Sequence, residues 1–86
     1  MRHARDEDLD RLEDLLAQLR TLPELKEKKR GVFYLKGRAF LHFHQDPTGM
    51  FADLGGGPQG GPSERLDVTD AAGKAELVQR VRTRLP

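Results

Sequence analysis

The chain has 86 residues, enough for one domain, and a formal net charge of +1, too small for bulk attraction to nucleic acid. It contains no cysteine. That excludes a disulfide framework, a thiolate metal site and a cysteine nucleophile, and fits a reducing cytoplasm. Hydrophobic residues make up 36% and charged residues 34%, with no apolar run of membrane-spanning length and no apolar signal-peptide core after Met1. A soluble, cytoplasmic, non-exported protein with a small core and no membrane contact is therefore expected.

Asp6 to Leu22 predicts an amphipathic helix, because Leu9, Leu12, Leu15, Leu16, Leu19 and Leu22 recur at steps of three and four. Asp6, Glu7 and Asp8 complement the helix dipole in the first turn, Arg20 does so near the end, and Pro23 stops the helix. Glu24 to Arg30 reads as a charged connector with Leu25 tucked inward.

Three strands follow, at residues 31–36, 39–45 and 50–54. Lys36-Gly37-Arg38 supplies one turn through a glycine at positive φ. Asp46-Pro47-Thr48-Gly49 supplies the other: Asp accepts backbone hydrogen bonds, Pro presets φ, and Gly suits the last position. A loop over 46–49 sets Gln45 opposite Met50, Phe43 opposite Ala52, Leu41 opposite Leu54 and His42 opposite Asp53. Leu41, Phe43, Met50, Ala52 and Leu54 then share an apolar face, and Phe40, His42, His44, Phe51 and Asp53 share the other. A slip of one residue would put Asp53 in the core. On the first strand, either Phe33 with Leu35 or Val32 with Tyr34 joins the open face.

Gly55 to Ser63 reads as a flexible loop without core contacts. Its Gly55-x-Gly57-x-x-Gly60 letters match a dinucleotide motif, but the flanking strand-to-helix context is missing. Leu66 and Val68 alternate with Arg65 and Asp67, which predicts a short further strand. Thr69 is the expected cap of a second helix, with Asp70 in its first turn. Ala71, Ala75, Val78, Val81 and Leu85, helped by Leu77, form the helix's inner face, and Gly73 weakens it by about 1 kcal/mol relative to Ala. The fold class is α+β: a single domain over 1–86, a two-layer sandwich in the order helix, three or four antiparallel strands, helix.

Chemistry concentrates on the open face. His42 and His44 lie two apart on one strand face and can share a metal ion, with Asp53 or Asp46 as a neighbouring carboxylate. His42 and Asp53 equally fit an ordinary cross-strand polar pair. No nucleophile lies at a readable spacing, so no catalytic residue and no cofactor are assigned. Phe40 and Phe51 beside the histidines form an apolar patch that suits an interface, and pairing of two copies through this face gives a homodimer. Lys26, Lys28, Lys29, Arg30 and Arg38, with the sheet aromatics, offer an alternative nucleic-acid surface.

Leu22-Pro23, Gly31-Val32-Phe33, Gly37-Arg38, His42-Phe43-His44 and Ala52-Asp53-Leu54 resemble the pattern of small luciferase-domain proteins. In that family a G-x-x-F stretch, a G-R turn and an H-x-H strand precede a D-L pair. The family's later His and Gly-Trp segment is replaced here by the Gly-Pro loop. The order of elements is also similar to the MmcQ/YjbR family, whose double-wing α+β fold has been linked to DNA binding. Both resemblances span about residues 22–54 and imply the fold, but no catalytic residue. The expected function is that of a small binding or interaction domain for a protein or small molecule. Nucleic-acid binding and metal binding through His42 and His44 are the alternatives.

Overall fold

The computed structural model describes residues 2–57 and 61–86; residues 58–60 of the expected loop lie outside the described residues. The elements in chain order are β1 (Arg2–His3), α1 (Asp6–Asp10), α2 (Glu13–Arg20), β2 (Leu25–Lys29), β3 (Val32–Leu35), β4 (Arg38–Asp46), β5 (Gly49–Leu54), β6 (Glu64–Asp67) and α3 (Ala71–Arg84). The strands make one antiparallel sheet in the order β2-β3-β4-β5-β6, with β1 added beside β4. The class is mixed α+β. Its radius of gyration of 11.8 Å matches the roughly 12 Å of a compact chain this long. Among the described residues, no helix is long and apolar enough to cross a membrane.

The hairpins form where their turn chemistry places them. Asp46 pairs with Gly49, leaving Pro47-Thr48 at the tip. The Asp46 carboxylate accepts from the Thr48 N–H at 2.8 Å and the Thr48 hydroxyl at 2.6 Å. The expected register follows: Gln45 with Met50, Phe43 with Ala52, Leu41 with Leu54 and His42 with Asp53. Leu35 pairs with Arg38 across the other turn, where Lys36 and Gly37 both have positive φ, 51° and 81°. Such a two-residue turn twists in the sense that the flanking strands require.

One core cluster joins the sheet to the helices. Leu9, Leu12, Leu15, Leu16 and Leu19 bury from the N-terminal helices, and Leu77, Val78 and Val81 from α3. They meet Phe33, Leu35, Leu41, Phe43, Ala52 and Leu54 of the sheet. Phe33 and Leu35 point inward, so Val32 and Tyr34 take the other face.

Several expectations need correction. The predicted helix over 6–22 is two helices, broken at Arg11-Leu12, where the Leu12 N–H donates to the Leu9 carbonyl three residues back. Leu9, Leu12 and Leu15 step by three, the period of such a tighter turn, which keeps all three leucines on one side. The charged connector is the edge strand β2. Leu25 and Glu27 are half buried, while Lys26, Lys28 and Lys29 face solvent, a composition that suits an edge. Among the described residues there are thus six strand segments rather than three or four.

Phe40 is buried with Leu41 and Phe43 in the core. The pairing of β3 with β4 skips it, jumping from Leu41 to Ala39, and this bulge breaks the alternation that placed Phe40 on the open face. The cap of α3 is Asp70, whose carboxylate accepts from the Gly73 N–H at 2.8 Å. Thr69 instead accepts from the Met50 N–H at 3.0 Å, tying β6 to β5. Ala71 and Ala75 are exposed. At the start of the expected loop the Gly55 N–H donates to the Phe40 carbonyl at 2.7 Å, and no described residue of the loop belongs to the core cluster.

Candidate metal centre

Strand β4 alternates its side chains, so His42 and His44 sit opposite Leu41 and Phe43, half buried and outside the core cluster. Beyond Leu41, β3 no longer pairs with β4. The freed stretch is taken by β1, with Arg2 opposite Gln45 and His3 opposite His44. The Ala4 N–H extends this pairing to the Phe43 carbonyl at 3.1 Å.

An ion pair holds the N-terminal segment from the helix side. The Arg2 guanidinium donates to the buried Asp8 carboxylate at 2.8 Å, and the Arg5 N–H donates to the same oxygen at 2.9 Å. The backbone bond from Arg5 and the pair with Arg2 hold the Asp8 carboxyl below its ordinary range, against the opposing effect of burial.

These pairings bring three imidazoles together. Ring centroids are 4.7 Å apart for His3 and His44, 4.9 Å for His42 and His44, and 5.8 Å for His3 and His42. One nitrogen from each ring lies within 4.8 Å of the other two. His42 Nδ1 and His44 Nε2 are buried and have no hydrogen-bond partner among the described residues.

Asp53 stands opposite His42 in the ladder, yet its carboxylate reaches His44: Oδ2 lies 2.8 Å from His44 Nε2. The two atoms are within ion-pair range but do not meet the geometry of a hydrogen bond. Arg65 on β6 grips the same carboxylate through two bonds of 2.7 and 3.0 Å. That grip is the main reason the Asp53 carboxyl sits below its ordinary range. Burial lowers the His42 pKa, and the neighbouring His44 and His3 lower it further, against the opposing pull of Asp53. A neutral imidazole with an unshared lone pair is the form in which histidine ligates a metal.

Of the residues predicted from sequence, His42, His44 and Asp53 come together, and Phe51 lies half buried beside them, paired with His44. Phe40 does not belong to the group, and Asp46 is occupied by the Thr48 turn. His3 was not found by sequence reasoning. A strand of two residues has no periodicity to detect, and the only available signal was that His3 is the third histidine in a chain holding three.

The basic residues split apart. Arg30 is held on the helix side by Asp6 at 3.3 Å, Asp10 at 2.8 Å and Glu13 at 3.3 Å, so it leaves the predicted nucleic-acid set. Lys26 pairs with Tyr34 across β2 and β3, and the Lys28 ammonium lies 4.9 Å from the Tyr34 ring centre. Lys29, paired with Val32, and Arg38, paired with Leu35, are exposed.

No protein-family model, no curated protein and no solved structure matches this chain.

Proposed function

We propose that this chain is a small binding domain whose ligand is a divalent transition-metal ion held by His3, His42 and His44. The observation that carries this reading is the convergence of three imidazoles, with one nitrogen of each within 4.8 Å of the others, beside a buried His42 Nδ1 that makes no hydrogen bond among the described residues. A buried polar atom left unpaired costs about 1–3 kcal/mol, and a bound cation relieves that cost at His42. Imidazole donors suit zinc, copper, nickel and cobalt rather than calcium or magnesium. Closing the three nitrogens from within 4.8 Å to the spacing around a tetrahedral ion, about 3.3 Å for bonds near 2.0 Å, takes small side-chain rotations. Burial that keeps His42 neutral favours the ligating form.

The test is thermal melting with zinc, nickel or cobalt. At a free metal concentration of about 100 times Kd the native state gains about 2.7 kcal/mol, which raises Tm by roughly 10–20 °C in a domain of this size. His42→Ala, His44→Ala and His3→Ala should each remove most of the shift. A shift of equal size in a variant lacking all three histidines, or no shift with any of the metals, refutes the assignment.

The arrangement we propose around this centre is a two-layer sandwich with the helices on the Leu41 and Phe43 side and the histidines on the other. The single core cluster shared by helices and sheet supports it, and a crystal structure tests it.

A second reading rests on a separate observation: Lys26, Lys28 and Lys36 line one surface with Tyr34, and they, with Lys29 and Arg38, have no carboxylate partners among the described residues. Cations around a half-buried aromatic fit the backbone and a stacked base of a single-stranded nucleic acid. Such binding should weaken steeply with salt and fall in Lys26→Ala and Lys28→Ala. Salt-independent binding, or none, removes it.

A further inference from the structure

A groove of about 490 Å³ lies along the sheet between the start of β4 and the start of β6, and His42, one of the three histidines of the proposed centre, lines it with Asp53. Exposed Ala39 and the edges of the otherwise buried Phe40 and Leu54 give it apolar walls, and Ser63, Glu64 and Arg65 give it polar ones. Its volume lies in the range of small-molecule sites, about 300–1,000 Å³.

The charges around the groove are already matched. Glu64 accepts from Arg80 at 2.8 Å and from Arg84 at 2.6 Å. Asp53 is held in a two-pronged grip by Arg65. Histidine ligates a metal as the neutral imidazole, so a divalent ion held by His3, His42 and His44 keeps its full charge, and three protein ligands leave a coordination position for a further one. Among the described residues, Glu64 is bound by Arg80 and Arg84, and Asp53, whose Oδ2 lies 2.8 Å from His44 Nε2, is held by Arg65, which competes with the ion for that carboxylate.

We infer that an ion at His3, His42 and His44 keeps an exchangeable position at the His42 and Asp53 side of the groove, and that this position takes a small carboxylate whose apolar part lies along Ala39, Phe40 and Leu54. This rests on the proposed metal site and goes beyond it: the site is open rather than closed, and its exogenous ligand is an organic anion. The carboxylate oxygen replaces a water on the ion, no covalent bond of the ligand is broken, and the ligand's hydrocarbon tail leaves water for the groove.

The experiment uses the full chain loaded with cobalt, whose visible absorption reports coordination directly. Titration with formate, acetate and butyrate should move the absorption bands in a saturable way. Butyrate should bind about tenfold more tightly than acetate, the factor that two buried methylenes carry. Ala39→Trp, an exchange at an exposed position on the groove wall, should abolish the butyrate preference while leaving cobalt and formate binding unchanged.

A cobalt spectrum indifferent to all three anions overturns the inference, since it means that the site is closed. A response that appears only in Asp53→Asn overturns it too, by showing that Asp53 fills the position. Equal affinity for acetate and butyrate removes the groove from the assignment and overturns that part of it. Failure of the chain to bind cobalt at all overturns both this inference and the metal site on which it rests. Cobalt binding without anion binding overturns this one alone.

Discussion

Replacing Gly73 with Ala should destabilise the protein, although helix propensity alone gives the opposite sign. Gly73 lies in the first turn of α3, where Ala is better than Gly by about 1 kcal/mol. A Cβ built on Gly73, however, falls far inside 3 Å of the Asp67 carbonyl oxygen, a distance that real Cβ atoms do not tolerate. The neighbour is main chain at the end of β6 and cannot swing aside like a side chain. Nor can the segment between them relax freely. Val68 donates its N–H to the Met50 carbonyl at 2.9 Å, Thr69 accepts from the Met50 N–H at 3.0 Å, and Asp70 caps Gly73 itself at 2.8 Å.

Overpacking a rigid contact costs about 1–3 kcal/mol, and any shift that relieves it loosens a cap worth about 1 kcal/mol. These costs outweigh the propensity gain, leaving a net loss of about 1–3 kcal/mol. In a domain of this size that lowers Tm by roughly 5–20 °C. Urea denaturation with an unchanged m-value and a lower midpoint is the expected result, with Ala71→Gly as a control that costs only the propensity difference. A Gly73→Ala variant as stable as the parent, or more stable, refutes the close approach of α3 to β6.

Phe40→Ala should cost about 3–5 kcal/mol, the loss of a buried aromatic, because Phe40 is 4% exposed and sits in the core. A loss below 1 kcal/mol by chemical denaturation, typical of a surface site, would return it to the open face. Thr69→Val should cost about 1–3 kcal/mol by leaving the half-buried Met50 N–H without its acceptor, whereas Thr69→Ser should cost less; equal losses in the two would count against the hydroxyl. In the presence of a chelator, stability should fall as pH drops from about 7 towards 5. Burial lowers the His42 pKa from the usual 6.5, so below that value the unfolded chain takes up a proton that the folded chain refuses, and stability rises with pH in this window. His42→Gln should flatten the dependence of Tm on pH there, and an undiminished slope would assign it to other groups.

Much of the sheet was legible because its turns are chemically specific. Asp46-Pro47-Thr48-Gly49 fixed where β4 meets β5, and from that one point the pairings of Leu41, His42 and Phe43 follow by counting. The strand β2 was not legible because lysines dominate it. An edge strand buries only one side weakly, so Leu25 and Glu27 leave little alternation to detect. Phe40 misled for a different reason: a bulge depends on what the neighbouring strand does, and nothing in the local residues announces it. Gly73 read as a weakness in a helix when considered alone, and as a necessity only once the Asp67 carbonyl stood beside it. The candidate centre was two-thirds legible. His42 and His44 share a strand, while His3 arrives through a pairing across some forty positions of sequence, which no local pattern encodes.

Strand β4 runs for nine residues while β3 runs for four, so β3 cannot shield it along its whole length. The remainder is covered by Arg2 and His3. Those two residues stop a row of main-chain N–H and C=O groups from recruiting a strand of another molecule, the route by which folded domains grow into aggregates or exchange segments. Loss of the N-terminal segment would therefore expose the edge of β4 to other molecules and, by removing Arg2, leave the buried Asp8 carboxylate of α1 without its charged partner, so colloidal behaviour and helix packing would suffer together.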